Sequence, residues 1–413
     1  MDEREISGRA LARKVPCDPG YVSRLASGKQ RPSLRIARRL DELLGAGGEL
    51  AAAAQRRPVH EPGPGDEDDD VRRRELLGAL GGVVAAAPLA GQLERLRRSL
   101  DDALSAEATE RDADEWERVA SDYAHEIGVL SPAAVLPPLL ADFGEIADRL
   151  ENAAGGVQRR LTHVAAQMSA LAAIVLTALG DSLTARRWWR TAARAADESG
   201  DWRAASLARG RQAVFSLYGG RAAASTLSLA GEAIAAGQGK PCAGVVSGYA
   251  ARAQALAQLG RREDAQTALE ALQDVFGGLP GEVSADHRSQ WGWSEIRLRH
   301  VESYVHTRAG DIRAAARAQD AALALYPATA YQGYQGRTQI QMHRAECLIR
   351  AGDVDGGAQH AARVIGTLPP DRRSDSLVSV TAIAALNAVP PHQRQRPAVR
   401  AAREMVALPG AKR

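Results

Sequence analysis

The sequence predicts an all-α protein in which a small N-terminal helical unit precedes a long array of helix pairs. Near the N-terminus, apolar residues repeat at helical spacing in two short runs separated by a proline break. Further along, glycines recur every 40 to 50 residues, each flanked by small side chains at fixed offsets. With 413 residues, of which 45% are apolar, the chain is long enough for two or three domains, each with a core.

The first N-terminal run begins at Ser7, which can cap a helix, and carries Leu11, Ala12 and Val15 on one face. Pro16 ends this helix because it has no N–H and disfavours helical geometry at the preceding residue. The sequence therefore predicts a first short helix that stops at residue 15.

A second helix begins at Asp18, a capping residue followed by a proline in the first helical position. Val22 and Leu25 face the first helix, and Gly28 closes the second one. Gly20, Tyr21, Ser23 and Arg24 are left facing outward.

A basic loop of Lys29, Gln30 and Arg31 follows, and then Ser33 caps a third helix whose apolar face comprises Leu34, Ile36, Ala37, Leu40, Leu43 and Leu44. Residues 1–57 contain 12 Lys or Arg and 7 Asp or Glu, so this part carries about +5 while the whole chain carries +3. A locally basic surface suits a polyphosphate partner.

This segment resembles the Xre-type helix-turn-helix family of bacterial repressors at Leu11, Ala12, Val15, Val22, Ser23, Arg24, Leu25, Gly28 and Arg31-Pro32. The resemblance implies binding to double-stranded DNA, with bases contacted by Ser23 and Arg24, helped by Tyr21, and phosphates held by Lys29 and Arg31. The predicted DNA-binding set is Ser7, Asp18, Gly20, Tyr21, Ser23, Arg24, Lys29, Gln30 and Arg31.

The segment departs from the family pattern at Gly8, where a Gln is usual, and at Pro16, where a glycine normally makes the turn. The family also places a further helix before the pair, for which only residues 1–5 remain. This predicts either a start assigned too late or a truncated domain.

Residues 56–92 are predicted to form an acidic linker and a connecting helix between a helix-turn-helix domain at 1–55 and a repeat domain at 93–413. The linker is rich in Pro and Gly and ends in an acidic run at residues 66–70. The arginines at 72–74 and the apolar stretch after them resemble a twin-arginine export signal, but their internal position favours an interdomain helix.

Five glycines define the repeats: Gly180, Gly220, Gly260, Gly310 and Gly352. Seven residues before them stand Ala173, Ala213, Ala253, Ser303 and Ala345, and five residues after them stand Ala185, Ser225, Ala265, Ala315 and Gly357. Small side chains at such places let antiparallel helices cross closely. The positions resemble the tetratricopeptide repeat over about residues 157–407, although a generic helical bundle remains an alternative.

Two further helix pairs are expected outside these five turns. A sixth pair over about 374–389 and 397–407 is expected to cap the array. Another precedes the array at 114–150, broken near Pro132 and Pro137. The pairs Trp188-Trp189 and Trp291/Trp293 are expected to be packing anchors between repeats.

In a solenoid of this kind, the first helix of each pair lines a concave groove. The repeat register assigns seven side chains to this wall: Arg297, His300, Tyr304, Arg308, Gln339, Glu346 and Arg350. A mixed polar and cationic wall suits a peptide or a carboxylate-bearing small-molecule effector, and the alternative is a solvated surface or a dimer interface.

No catalytic, phosphate-binding or dinucleotide motif is present, so we expect a non-enzyme without cofactor or metal. Three unpaired cysteines, the lack of a signal peptide and the lack of a long apolar run predict a cytoplasmic protein without membrane association.

The order of parts resembles actinobacterial Xre-type regulators with a tetratricopeptide-like effector domain. It implies a DNA-binding transcriptional regulator whose repeat domain forms a homodimer or binds an effector. The alternatives are a protein-interaction scaffold that has lost DNA binding and a peptide sensor of the quorum-signalling type.

Overall fold

The computed structural model describes residues 108–326 and 333–407, together with residues 37, 40 and 43. The chain divides into two compact units after Arg97. In the first unit, Ala37, Leu40 and Leu43 are helical, and the first two are buried. This agrees with the third N-terminal helix predicted from the sequence.

The described residues of the second unit form sixteen α-helices and no strands, which confirms the all-α prediction. They are α1 (Glu110–Glu126), α2 (Pro132–Glu151), α3 (Gly155–Ala178), α4 (Ser182–Glu198), α5 (Trp202–Ser216), α6 (Ala223–Ala236), α7 (Ala243–Gln258), α8 (Arg262–Gly277), α9 (Gly281–Ala285), α10 (Glu295–Ala309), α11 (Ile312–Leu325), α12 (Tyr334–Arg350), α13 (Val354–Gly366), α14 (Pro370–Arg373), α15 (Ser376–Leu386) and α16 (Pro397–Val406).

All five predicted glycines lie in turns between consecutive helices. Their φ angles of 66 to 98° are in the left-handed region, where a side chain would be strained. In three turns the next residue is an aspartate, namely Asp181, Asp311 and Asp353, whose carboxylate accepts a hydrogen bond from the backbone of the following helix. The turn glycine thus ends one helix while its neighbour caps the next.

The small residues flanking the turns are buried where helices cross, with one exception. All five residues at the earlier offset are fully buried, but Ser225 at the later offset is exposed. The prediction for Ser225 was wrong because α6 starts three residues after Gly220, whereas α4 starts two residues after its glycine. Thr226 occupies the buried position instead, 2.7 Å from the hydroxyl of Ser216.

The longest repeat spacing, between Gly260 and Gly310, arises from an insert at residues 278–294 between α8 and α10, which contains α9. The insert contacts the N-terminal helix pair. The backbone N–H of Gln290 donates to the carbonyl of Ala124, and its side-chain amide donates to the carbonyl of Ile127, both at 3.0 Å.

The two ends of the array also meet. The N–H of Gly333 donates to the carbonyl of Gly128, and Arg372 donates to the carbonyl of Val129 at 2.9 Å. At the turn after α3, a Cβ on Gly180 would lie 2.8 Å from the hydroxyl of Ser376. The loop at 127–131 therefore joins the insert, the start of α12 and the segment after α13.

The N-terminal pair differs from the prediction in one respect. Its break lies at residues 127–131, before Pro132, as expected, but Pro137 does not break α2. Pro137 and Pro138 lie inside this helix, which continues because it buries Val135 and Leu139 on the turns around them. Tertiary packing here outweighs the lost backbone hydrogen bonds.

Helix α3 has the length and apolar character of a membrane span, but 83% of its apolar window is buried inside the protein. Helix α3 is therefore a core helix of the second unit. It packs between α2, α4 and α5 in a cluster that includes Trp189, whose ring lies 6.1 Å from that of Phe215. Trp293 is likewise 2% exposed and contacts Phe276, so Trp189 and Trp293 are packing anchors, as predicted.

Candidate effector cavity

The second unit contains a cavity of about 210 Å³ lined by the first helices of successive pairs, the insert and the loop at 127–131. An apolar cavity of roughly 150 Å³ is enough to hold benzene, so this space accepts a small ligand. Its described lining comprises Ile127, Gly128, Val129, Arg211, Val214, Phe215, Tyr218, Ala250, Gln254, His287, Arg288, Gln290, Trp293, Ser294, Ile296, Arg297, His300, Val301, Tyr326, Gly333, Gln335, Gly336, Gln339 and Leu377.

Arg211, on α5, is the most deeply buried cation of this lining, with 6% of its surface exposed. One of its terminal nitrogens donates to the side-chain oxygen of Gln290, and the guanidinium lies 5.1 Å from the ring centre of Phe215. Its Nε has no hydrogen-bond partner. Burial, followed by the nearby charge of Arg297, holds the pKa of Arg211 well below its usual value.

Arg297 lies in the first turn of α10, directly after the insert. Its terminal nitrogens donate to the carbonyls of Gly292 and Ser289. Burial lowers the pKa of Arg297 to about 10, and the neighbouring Asp286 acts in the opposite direction. The carboxylate of Asp286 accepts hydrogen bonds from the backbone and hydroxyl of Ser289, so it is used to fold the insert.

Neutral polar groups complete the wall. Gln254 is 2% exposed and makes no hydrogen bond within the described residues. The amide of Gln339 donates to the carbonyl of Leu377 at 3.2 Å. Burial lowers the pKa of His300 to about 4, so its ring is neutral at pH 7, and its Nε2 has no hydrogen-bond partner.

The charge balance of the lining is one-sided. Among the described residues that line the cavity there are three arginines, two histidines and no Asp or Glu. Arg288, at the edge, is exposed to solvent, whereas Arg211 is not. The cavity therefore holds cationic and donor groups without an acidic side chain in its wall.

The seven predicted groove residues fall into two groups. Arg297, His300 and Gln339 line the cavity. The other four lie beyond the cavity. There the carboxylate of Glu346, which is 2% exposed, pairs with Arg308 at 3.4 Å and with Arg350 at 2.8 Å. The ring of Tyr304 packs against that of His343. The cationic side chains of that second group are thus already paired within the protein.

Arg211 is not among the residues that the repeat register assigns to the groove, although the repeats contain a signal for it. Nine residues before the turn glycines stand Leu171, Arg211, Ala251, Val301 and His343. The first, third and fourth are buried core residues, so an arginine at this position departs from the pattern. A charged side chain at a position where equivalent repeats bury apolar groups indicates a candidate functional site.

A second cavity, of about 300 Å³, lies between α3, α5 and the insert. The guanidinium of Arg203 and the amine of Lys240 both lie over the ring of Trp202, at 4.7 and 5.2 Å from its centre. Asp201 and Glu282 also line this space, so its charges are mixed. Within the described residues, no group of three or more His, Cys, Asp or Glu is placed to hold a metal ion.

The predicted DNA-binding residues, Ser7 to Arg31, lie outside the residues that the structure describes. A family model described as a helix-turn-helix domain matches residues 1–54 of the chain. No curated protein and no solved structure matches the chain. The protein therefore carries an N-terminal helix-turn-helix domain, the type found in DNA-binding regulators, followed by a helical repeat domain.

Proposed function

We propose that this protein is a DNA-binding transcriptional regulator of the Xre type. The observation that carries the proposal is the helix-turn-helix match over residues 1–54, which coincides with the segment that carries about five net positive charges. Ser23 and Arg24 contact bases, while Lys29 and Arg31 hold phosphates. Base contacts specify the site and phosphate contacts set the orientation on the duplex.

The helical repeat domain is of the tetratricopeptide type and binds the effector. Its support is the series of five left-handed glycine turns, the buried small residues beside them and the cavity lined by the first helices of the pairs. A cavity of about 210 Å³ favours a small molecule over an extended peptide. The protein acts in the cytoplasm as a regulator and not as an enzyme.

The regulator acts as a homodimer. A single helix-turn-helix contacts few base pairs, so two copies on a palindromic operator supply the specificity that one lacks. Effector binding then changes the affinity of the pair for DNA through the equilibrium between two states of the dimer.

The test is a gel shift of the full-length chain against its own promoter region at two salt concentrations. We expect a retarded complex that weakens steeply as salt rises, because each neutralised phosphate releases counterions. Sedimentation of the free protein and of the complex measures the stoichiometry. If no complex forms even at low salt, the protein is not a DNA-binding regulator, and the scaffold alternative gains.

A further inference from the structure

The cavity contains two arginines that lack a carboxylate partner in contact. Arg211 is 6% exposed, bonds only a neutral amide oxygen and leaves its Nε without a partner. Arg297 bonds only two backbone carbonyls. Buried charges in proteins are normally paired, because an isolated one loses its hydration without compensation. An arginine retained in this state indicates that its counter-ion comes from outside the chain.

The number of charged groups around the cavity limits the charge that this counter-ion can carry. The buried guanidinium of Arg211 and the partly buried one of Arg297 have one carboxylate nearby, that of Asp286, whose charge partly offsets the lowering of the Arg297 pKa by burial. Arg288, the third arginine of the lining, is exposed to solvent and is left out of this count, so the balance leaves about one uncompensated positive charge, centred on Arg211. A single negative charge matches it, whereas a phosphate dianion would overcompensate.

The rest of the lining indicates an organic body attached to that charge. Phe215, Trp293, Val214 and Val301 contribute apolar walls. Gln254, which has no hydrogen bond in the described part of the chain, and His300, with its unpartnered Nε2, provide two polar points for orientation. Apolar walls with few convergent polar groups are typical of small-molecule sites.

We propose that this cavity binds a small organic carboxylate, whose anionic group accepts hydrogen bonds from Arg211 and whose apolar body contacts Phe215 and Trp293. The planar fork of a guanidinium matches the two oxygens of a carboxylate. This inference rests on the proposed effector role of the repeat domain and names its ligand class.

The test measures ligand binding to the full-length chain in the absence of DNA. Sodium benzoate and sodium hexanoate are compared with benzamide and hexanamide, their neutral counterparts of similar shape, by calorimetric titration and thermal denaturation. Sodium chloride at equal ionic strength controls for salt. We expect at least one carboxylate to bind about tenfold or more tightly than its amide and to raise the Tm by about 2 °C or more.

The Arg211→Met variant removes the charge and keeps a side chain of comparable length. We expect it to lose at least about tenfold in carboxylate affinity while its amide affinity is unchanged. The matched control is Arg209→Met on the same helix, because Arg209 pairs with Asp197 at 2.7 Å and does not line the cavity. That control retains wild-type affinity.

Two outcomes would overturn the proposal. One is that neither carboxylate binds better than its amide, a comparison made on the wild-type chain and independent of whether any variant folds. The other is that inorganic phosphate binds as tightly as both carboxylates, which would assign an anion site without an organic ligand. Because no DNA is present, the result is separate from the gel shift, and a later gel shift with the bound carboxylate measures the coupling.

Discussion

Gly210 of α5 and Gly244 of α7 lie where these two helices cross, with backbone against backbone. A Cβ on Gly210 would overlap the carbonyl oxygen of Gly244 and lie 2.8 Å from the Cβ of Ser247. The backbone cannot yield without separating the helices, so we expect Gly210→Ala to lower the free energy of unfolding by about 1–3 kcal/mol. Urea denaturation of the full chain measures this.

The matched control is Gly231→Ala in α6, where an added Cβ meets nothing within 4 Å. Alanine there reduces the entropy of the unfolded chain, and the free energy of unfolding should rise by about 0.5–1 kcal/mol. Equal effects of the two substitutions would contradict the close crossing.

The turns and the pairing of helices could be predicted from the sequence because they depend on local signals. A left-handed glycine, a capping aspartate and small residues at fixed offsets lie within one repeat, as around Gly352 and Asp353. The register assigned Arg297 and His300 to one face of the first helix of their pair, and both line the cavity. Local periodicity is sufficient for these features.

The cavity could not be predicted in the same way because its walls come from distant segments. Gln290 bonds Ile127 across 163 residues, and Arg372 bonds Val129 across 243. Repeat periodicity describes neighbouring repeats and contains no information on contacts between segments that are far apart along the chain. The register also did not reveal that Glu346 pairs with Arg350, four residues on, and with Arg308 of the preceding repeat, because it assigns a residue to a helix face and not to a side-chain partner.

Glu346 is expected to stabilise the repeat domain through this pairing. Its carboxylate is 2% exposed and lies within reach of two arginines, so Glu346→Gln leaves both without their partner. Because the arginines remain partly in contact with solvent, we expect a loss of about 2 kcal/mol in the free energy of unfolding. The exposed pair Arg261–Asp264 provides the comparison, and Asp264→Asn should cost less than about 0.5 kcal/mol. A Glu346→Gln variant as stable as Asp264→Asn would contradict this assignment.

The neutral state of His300 predicts a loss of stability in mild acid. Its pKa is about 4 in the folded protein, against about 6.5 in an unfolded chain, so the unfolded state takes up a proton first. The free energy of unfolding therefore falls as the pH decreases from 6.5 to 4. Since His300 is partly exposed, we expect its share to be about 2 kcal/mol. We therefore compare the free energy of unfolding of His300→Gln with that of wild type at both pH values. The difference should favour the variant more at pH 4 than at pH 7, and an equal difference at both would refute the prediction.

Arg211 should also lower the stability of the ligand-free protein. Replacing a buried ionic group by an apolar side chain of similar volume is often neutral or stabilising, by about 1–4 kcal/mol. We therefore expect Arg211→Met to unfold at an equal or higher Tm than wild type without ligand. A fall in Tm would instead assign Arg211 a structural role through its hydrogen bond to Gln290 and its contact with Phe215.

The DNA-binding residues are separable by their response to salt and sequence. Arg24→Ala removes a predicted base contact, so we expect a loss of about 1–3 kcal/mol on the operator and little change on unrelated DNA. Lys29→Ala removes a phosphate contact, which weakens binding to both DNAs and lowers the slope of log K against log salt by about one unit. Fluorescence anisotropy titrations over a range of salt concentrations distinguish the two. If Arg24→Ala weakens both DNAs equally, Arg24 contacts the backbone, and the specificity of the site depends on Ser23, Tyr21 and the spacing of the two half-sites.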